Sequence, residues 1–402
     1  MREMKNVILV TIDTLRKDVV GCYGGDKFTP FLDSIQSRCL RFTNMKSIGP
    51  YTQASFPGIL TSSYYFDYGR RKGLAPEATV VSEVLQRNGI VTAAYHSNPY
   101  LSGYFGWNRG WHSFYDSMQD DVSDMYPFVR GNVINEKVEK WLSEHVGSGK
   151  DYKPFFLWVH YMDVHEPYVP EKDYLRAIDS GLNVSKEEMF RLFKEVILKR
   201  DVSDRNKVEI LKKLYLAKVM EVDDYVKELF GIFERSGILG DTVILITSDH
   251  GDEFCEHGGL SHDGKMYSEL IDVPFLMYGV EDGAGEVCEK LVSNVDIPPT
   301  IVGLFGLGKV EAFKGRPLYP IEGYAEEGVF GEALGKRSAH AKDTDRPVYY
   351  YMDGSYKIIY SEEGDSWELY DVENDPEEKE NIIDSSQHTK RLKERLIEWI
   401  NS

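Results

Sequence analysis

Short apolar runs rich in β-branched and aromatic residues alternate along the chain with longer stretches in which apolar residues return every third or fourth position. The runs at 7–11, 91–95, 155–160, 243–247 and 274–278 are apolar at successive positions, so both faces of each would be covered. That pattern predicts a mostly parallel sheet between helices. Between the third and fourth runs, residues 185–236 carry a helical stripe of Leu211, Leu214, Tyr215, Val219, Val222, Val226, Leu229 and Phe233. Ser185 and Glu188 form a capping-box pattern at its start. Past about residue 320 the chain changes to short alternating segments at 348–352, 356–360 and 367–370, with Asp353-Gly354 between the first two as a hairpin signal. The expected fold class is α/β, a mostly parallel central sheet flanked by helices over 1–320. A small C-terminal α+β domain, an antiparallel sheet closed by a helix near 386–400, should occupy 321–402. The acidic stretch 371–380 reads as a solvated loop.

Composition adds one constraint. With 42% hydrophobic and 28% charged residues the chain is globular, but 66 Asp and Glu against 47 Lys and Arg give a net charge of -19. That field repels phosphate backbones and anionic lipids, which argues against nucleic acid or a membrane as partner. An anionic substrate would need a local source of positive charge. Four scattered cysteines with no CxxC pair, an apolar run at 7–10 too short for a signal-peptide core, and no stretch of about 18 apolar residues predict a cytoplasmic protein.

Ligands of open α/β sheets bind at the carboxyl ends of the strands, so the residues there are the candidates for chemistry. The first strand runs into Asp13, and the fourth into Asp249 and His250. The third runs into His160, Asp163 and His165. His257 and His262 follow the fourth, so five of the ten histidines fall in two stretches. Asp and His together at strand ends suit a divalent cation such as Zn or Mn. Taken singly, Asp13 could be a helix cap, His160 a core histidine, and His257 and His262 loop residues.

At this point the chain resembles the sulfatase family of the alkaline phosphatase superfamily over almost its whole length. The resemblance is carried in order by VILVTIDTLRKDVVGCYG at 7–24, TPFLD at 29–33, GWHSFYD at 110–116, HYMDVHEPY at 160–168, TSDHGDEFCEHG at 247–258, the segment 265–274, and LYD at 369–371 with Asp375, Pro376, Glu377 and Asn381. The resemblance implies that Asp13, Asp249 and His250 hold a metal, and that His165, His257 and Lys265 line the position of the anionic group and the leaving oxygen. Within 48–62 it places Thr52 where sulfatases carry the cysteine converted to formylglycine, with Ser55 and Phe56 where they carry serine and arginine. Thr14 stands in place of the second acid of a "DD" pair, and 95–99 lacks a "KWH" pattern.

The departure at Thr52 has chemical content. A formylglycine hydrate has a second hydroxyl that can expel sulfate by elimination, whereas threonine has one, so an esterified Thr52 must be cleared by water. In-line attack at phosphorus does this readily, which favours phosphate mono- and diesters or phosphonate esters through a phospho-Thr52 intermediate. The expected cofactor is one divalent ion, Mn or Zn before Ca or Mg, held by Asp13, Asp249, His250 and Thr52. Asp163, His262 and His160, with His165, are candidates for a second metal or for substrate. Ser55 is the alternative nucleophile. The expected partner is a small anionic ester, with a homo-oligomer left open. The competing readings are a sulfuric ester hydrolase acting without formylglycine and a catalytically inactive metal-containing binding protein.

Overall fold

The computed structural model describes residues 6–68, 73–118, 120–147, 152–335 and 344–402. In chain order its strands are β1 Asn6–Ile12, β2 Cys39–Lys46, β3 Val91–His96, β4 Ser113–Tyr115, β5 Phe155–Tyr161, β6 Thr242–Ser248, β7 Glu253–Phe254, β8 Leu260–Ser261, β9 Phe275–Tyr278, β10 Val287–Ser293, β11 Val329–Leu334, β12 Pro347–Asp353, β13 Tyr356–Ser361 and β14 Ser366–Asp371. Eight of them form the central sheet in the order β10-β2-β9-β6-β1-β5-β3-β4. Its pairings are parallel except those of β9, which runs antiparallel to both β2 and β6. The run at 274–278, expected to be parallel, is therefore the exception. A continuous apolar run reports burial on two faces but not direction.

Strand β1 lies at the middle of the sheet, and all seven of its residues are buried. Ile8, Val10 and Ile12 face one core, which holds the stripe of the 31-residue helix Arg205–Arg235. Val7 and Leu9 face the other core with Phe56, Ile59 and Leu60 of the helix Thr52–Thr61. The period of two in β1 thus covers one face with each helix layer. The helical region expected over 185–236 consists of more than one element. Lys186–Leu192, with the Ser185–Glu188 capping box, runs into a π-helical turn at Phe193–Leu198. Arg200 then takes φ 56°, and Asp204 caps a new helix through the N–H groups of Asn206 and Lys207. Among the described residues no helix is long and apolar enough to cross a membrane.

Strands β11–β14 form a separate antiparallel sheet, with Gly354 at φ 61° in the turn between β12 and β13, covered by the helix Thr389–Ile400. This sheet grips the segment that leads to Thr52. Glu332 N–H donates to the Ile48 carbonyl (2.8 Å), Tyr350 hydroxyl to the Ser47 carbonyl (2.7 Å), and Leu334 N–H to the Tyr51 hydroxyl (2.9 Å). A Cβ at Gly331 would stand 2.5 Å from the Ile48 carbonyl oxygen, so this approach requires glycine. The acidic stretch 371–380 is only partly a solvated loop. Glu378 is buried, its carboxylate 2.5 Å from the buried Lys357 ammonium and accepting from Ser268 N–H (2.6 Å). The Ser268 N–H bond ties the C-terminal segment to the start of the helix Ser268–Ile271, which follows β8.

Candidate active site

Parallel strands β1 and β6 end side by side, with Ile12 paired to Ser248, so the next residues Asp13 and Asp249 emerge at one edge of the sheet. Thr52 opens its helix, and Asn98 follows β3 two residues beyond its end. All four, with His160 and His250, are buried. Thr52 hydroxyl lies 3.4 Å from Asp13 Oδ2, and Asn98 Nδ2 donates to the same carboxylate oxygen (2.9 Å) and to Thr52 Oγ1 (3.3 Å). Asn98 thus supplies hydrogens to Thr52 and Asp13, leaving the Thr52 hydroxyl to donate toward Asp13. His250 Nδ1 lies 2.9 Å from the Gly251 carbonyl, so that nitrogen carries the proton and Nε2 is an acceptor. This Nε2 stands 3.6 Å from Asp13 Oδ1 and 3.4 Å from Asp249 Oδ2.

Asp13 Oδ1, Asp249 Oδ2 and His250 Nε2 are buried acceptors with no hydrogen-bond partner among the described residues. One ligand atom from each of the three residues lies within 4.8 Å of the others. Three convergent unsatisfied acceptors cost free energy unless a cation completes them, so this group fits a divalent metal. The electrostatics agree. Burial, then the charge of Asp13, raise the Asp249 carboxyl well above the carboxylate range. For Asp13, burial works upward, but the His160 bond and the imidazoles of His165 and His250 hold it below that range. Burial pushes His250 down to about 3 despite Asp13, so its imidazole is neutral, as a ligand must be.

Thr14, after Asp13, sits at φ 58°, a strained conformation for a β-branched residue. It is held by its N–H to Asp249 Oδ1 (3.3 Å) and by the Tyr215 hydroxyl on its carbonyl (2.9 Å). Phe56, at the arginine position of the resemblance, fills an apolar slot against His160, Trp158 and Trp107.

The other expected residues divide. His160 belongs to this first group: Trp158 Nε1 donates to Thr11 Oγ1 (2.9 Å), Thr11 meets His160 Nδ1 (2.8 Å), and Nε2 stands 3.3 Å from Asp13 Oδ2. This chain orients Asp13. His165 and His262 lie one ring further out, with His262 4.9 Å from both His250 and His165. Together with Glu166 they form a second cluster of potential ligands within 4.8 Å. Asp163 is not in it, because its carboxylate lies 3.7 Å from the Lys218 ammonium. His262 Nδ1 meets Asp252 Oδ1 (2.9 Å), whose other oxygen accepts from the Tyr168 hydroxyl (2.5 Å).

His257 and Lys265 make their contacts elsewhere. His257 Nδ1 lies 2.6 Å from Glu269, its Nε2 3.2 Å from the Glu378 carbonyl, and its ring stacks on Tyr267. Lys265 donates to Glu253 (2.8 Å) and the His257 carbonyl (2.9 Å). Neither has a hydrogen bond or ion pair to the Asp13 group among the described residues. Ser55 is buried with its hydroxyl on the Thr52 carbonyl (3.3 Å), one turn inside a helix that begins at Thr52, so it does not face the carboxylates. Asn98 and Asp252 were the residues overlooked. Each sits just past the end of a strand, where the same search rule would have found them.

The chain and its fold match known proteins. The sulfatase family pattern matches residues 5–307, and an N-sulphoglucosamine sulphohydrolase C-terminal pattern matches 255–402. The chain belongs to the sulfatase family. It is 23% identical to an N-acetylglucosamine-6-O-sulfatase of Bacteroides thetaiotaomicron, over 97% of this chain and 85% of the relative, and 22% identical to an arylsulfatase of Clostridium perfringens, over 96% and 92%. The phosphonate monoester hydrolase of Agrobacterium radiobacter superposes with a TM-score of 0.79 at 18% identity, covering 99% of this chain and 95% of that one. A structure solved with D-glucosamine-2-N,6-O-disulfate as substrate superposes with a TM-score of 0.79 at 20% identity, covering 99% and 97%.

Proposed function

We propose that this sulfatase-family hydrolase cleaves phosphate mono- or diesters or phosphonate esters, with Thr52 as nucleophile. The observation that carries the reading is the Thr52 hydroxyl 3.4 Å from Asp13, beside three convergent unsatisfied acceptors. A divalent cation held by Asp13, Asp249, His250 and the Thr52 hydroxyl would stabilise charge on the transferred group and lower the hydroxyl pKa. Its imidazole ligand beside two carboxylates favours Mn or Zn over Ca or Mg. Asn98 fixes the hydroxyl rotamer so that its proton points to Asp13 and an oxygen lone pair is left for attack at phosphorus. As the P–O bond to the alcohol breaks, His165 donates a proton to the departing oxygen. Burial works against a proton on His165, but Glu166, Asp13 and Asp252 raise its pKa, as a donor at neutral pH requires. Water then attacks phosphothreonine in line and gives a proton to His165, while Asp13 returns to the departing Thr52 oxygen the proton it took when that oxygen attacked phosphorus.

A second reading, sulfuric esters, rests on the relatives being named sulfatases. It requires water to attack a sulfated Thr52. The test is hydrolysis of p-nitrophenyl phosphate, bis-p-nitrophenyl phosphate, p-nitrophenyl phenylphosphonate and p-nitrophenyl sulfate, with Mn, Zn, Ca or Mg restored after chelation. Faster turnover of sulfate than of every phosphorus ester would overturn the phosphate reading. Bound metal with no turnover of any ester would favour a binding protein.

A further inference from the structure

At the far end of the Thr52–Thr61 helix from Thr52, a cavity of about 300 Å³ lies where the edge of the central sheet meets β11 and the C-terminal helix. Ser62 closes the nucleophile helix there. Its carbonyl accepts from Lys314 N–H (2.9 Å), its hydroxyl accepts from Gly315 N–H (2.9 Å), and the hydroxyl donates to the Val295 carbonyl (2.6 Å). A Cβ at Gly315 would stand 2.0 Å from that Val295 carbonyl oxygen, so the wall is built to bring backbone close.

Three cations line this cavity, Lys314, Arg316 and Arg395, in a chain whose overall charge is -19. The acids around it oppose them weakly. Asp296 already accepts from Arg316 N–H (2.8 Å), Ser293 N–H (3.1 Å) and the Tyr324 hydroxyl (2.9 Å). Glu327 pairs with Arg316 at 3.1 Å and Glu398 with Arg395 at 3.8 Å, but both carboxylates are 70% exposed, so these pairs are screened and readily exchanged for a better anion. Lys314 is the more firmly held, 2.6 Å from Asp67.

Beside the cations lies an aromatic wall. Phe330 and Trp399 stack at 4.8 Å, and Tyr64 meets the Trp399 ring edge-on at 4.9 Å. Guanidinium groups match phosphate oxygens in bidentate geometry, and flat rings stack on aromatic faces. The volume is at the lower end of that of small-molecule sites.

We propose that this cavity is a second ligand site, separate from the metal group, for a small molecule that joins a phosphate to a planar ring, of the class of the nucleoside monophosphates. Arg316 and Arg395 take the phosphate, and the ring packs against the Tyr64, Phe330 and Trp399 side chains that line the cavity. Cations at a helix C-terminus also complement its dipole, but that role needs neither the aromatic wall nor an open volume.

The test uses adenosine 5′-monophosphate as probe, in the Thr52→Ala protein so that the probe is not consumed, and reads intrinsic tryptophan fluorescence. Saturable binding should persist when Asp249→Asn is added. It should weaken at least tenfold in Arg316→Ala/Arg395→Ala, and adenosine and inorganic phosphate should each bind at least tenfold more weakly than the monophosphate. The arginine variants in the Thr52 protein should hydrolyse the chromogenic esters at the unsubstituted rate, which also establishes that they fold. Binding lost with Asp249→Asn but unaffected by the arginine changes would place the probe in the metal site and overturn the proposal. So would no saturation at millimolar concentration, or equal affinity for inorganic phosphate. None of these outcomes depends on which ester the enzyme cleaves.

Discussion

Replacing Asn98 with alanine removes a donor that serves two acceptors at once, Asp13 Oδ2 at 2.9 Å and Thr52 Oγ1 at 3.3 Å. A hydrogen bond to a charged group contributes about 1.5–3 kcal/mol, and a buried carboxylate left one donor short bears most of that cost. The longer bond to Thr52 adds orientation, since without it the hydroxyl can rotate away from Asp13. A loss of about 2–3 kcal/mol in the transition state corresponds to about a 30- to 160-fold fall in kcat/KM. Metal content should be unchanged, because the amide is not among the convergent acceptors. Asn98 also accepts from Tyr100 N–H (3.0 Å) and so caps the turn after β3. Asn98→Asp keeps that cap but loses the donor, so it separates the two roles. The measurement is kcat/KM on the best ester of the panel, with metal counted by elemental analysis. Activity within about threefold of the unsubstituted protein in Asn98→Ala, or full activity in Asn98→Asp, would refute the orientation argument.

Four further outcomes are expected. Thr52→Ala should abolish turnover while retaining metal, and Asp249→Asn should lose both, as read by elemental analysis beside the ester assay. Glu378→Ala should leave the Lys357 ammonium buried with only the Met266 carbonyl and Ser268 hydroxyl as partners. A cost of about 3–5 kcal/mol would lower Tm by about 4–6 °C in a chain of this size, measurable by calorimetry. Glu332 is buried, and burial raises its carboxyl from 4.5 to about 8 despite the Phe66 N–H that it accepts. Because the folded state keeps this proton longer than the unfolded state, its contribution is complete below about pH 4.5 and is lost as pH rises toward 8, by up to about 1.4 kcal/mol per unit. Glu332→Gln should flatten that decline in a Tm series from pH 5 to 9, and an unchanged slope would count against the buried carboxyl.

Legibility followed burial and locality. Five strands that are apolar on both faces were visible as runs, and the Asp353-Gly354 turn and the Ser185 capping box were visible because each is set by adjacent residues. Strands β2 and β10 were not. Each carries polar and charged positions, such as Arg41 and Asn44 in β2 and Glu289 and Lys290 in β10, and only their pairing with each other and with β9 makes them strands. The break at Arg200 was hidden because no Gly or Pro marks it, and a non-glycine residue there takes φ 56°.

By itself the sequence determined the layered α/β class and placed Asp13, Asp249 and His250 at strand ends, and the family resemblance it carries nominated those three as one group with Thr52 at the nucleophile position. Tertiary structure decided which of the remaining candidates join them. Asn98 does so through a hydrogen bond across 85 residues of chain, and His160 by standing 3.3 Å from the Asp13 carboxylate across 147. His257 and Lys265 are drawn instead to Glu269, Glu378 and Glu253. The reason is physical. Strand ends are set by local pattern, but the partner of a buried imidazole or ammonium is whichever oppositely polar group the packing brings within about 3 Å, and that depends on the whole fold.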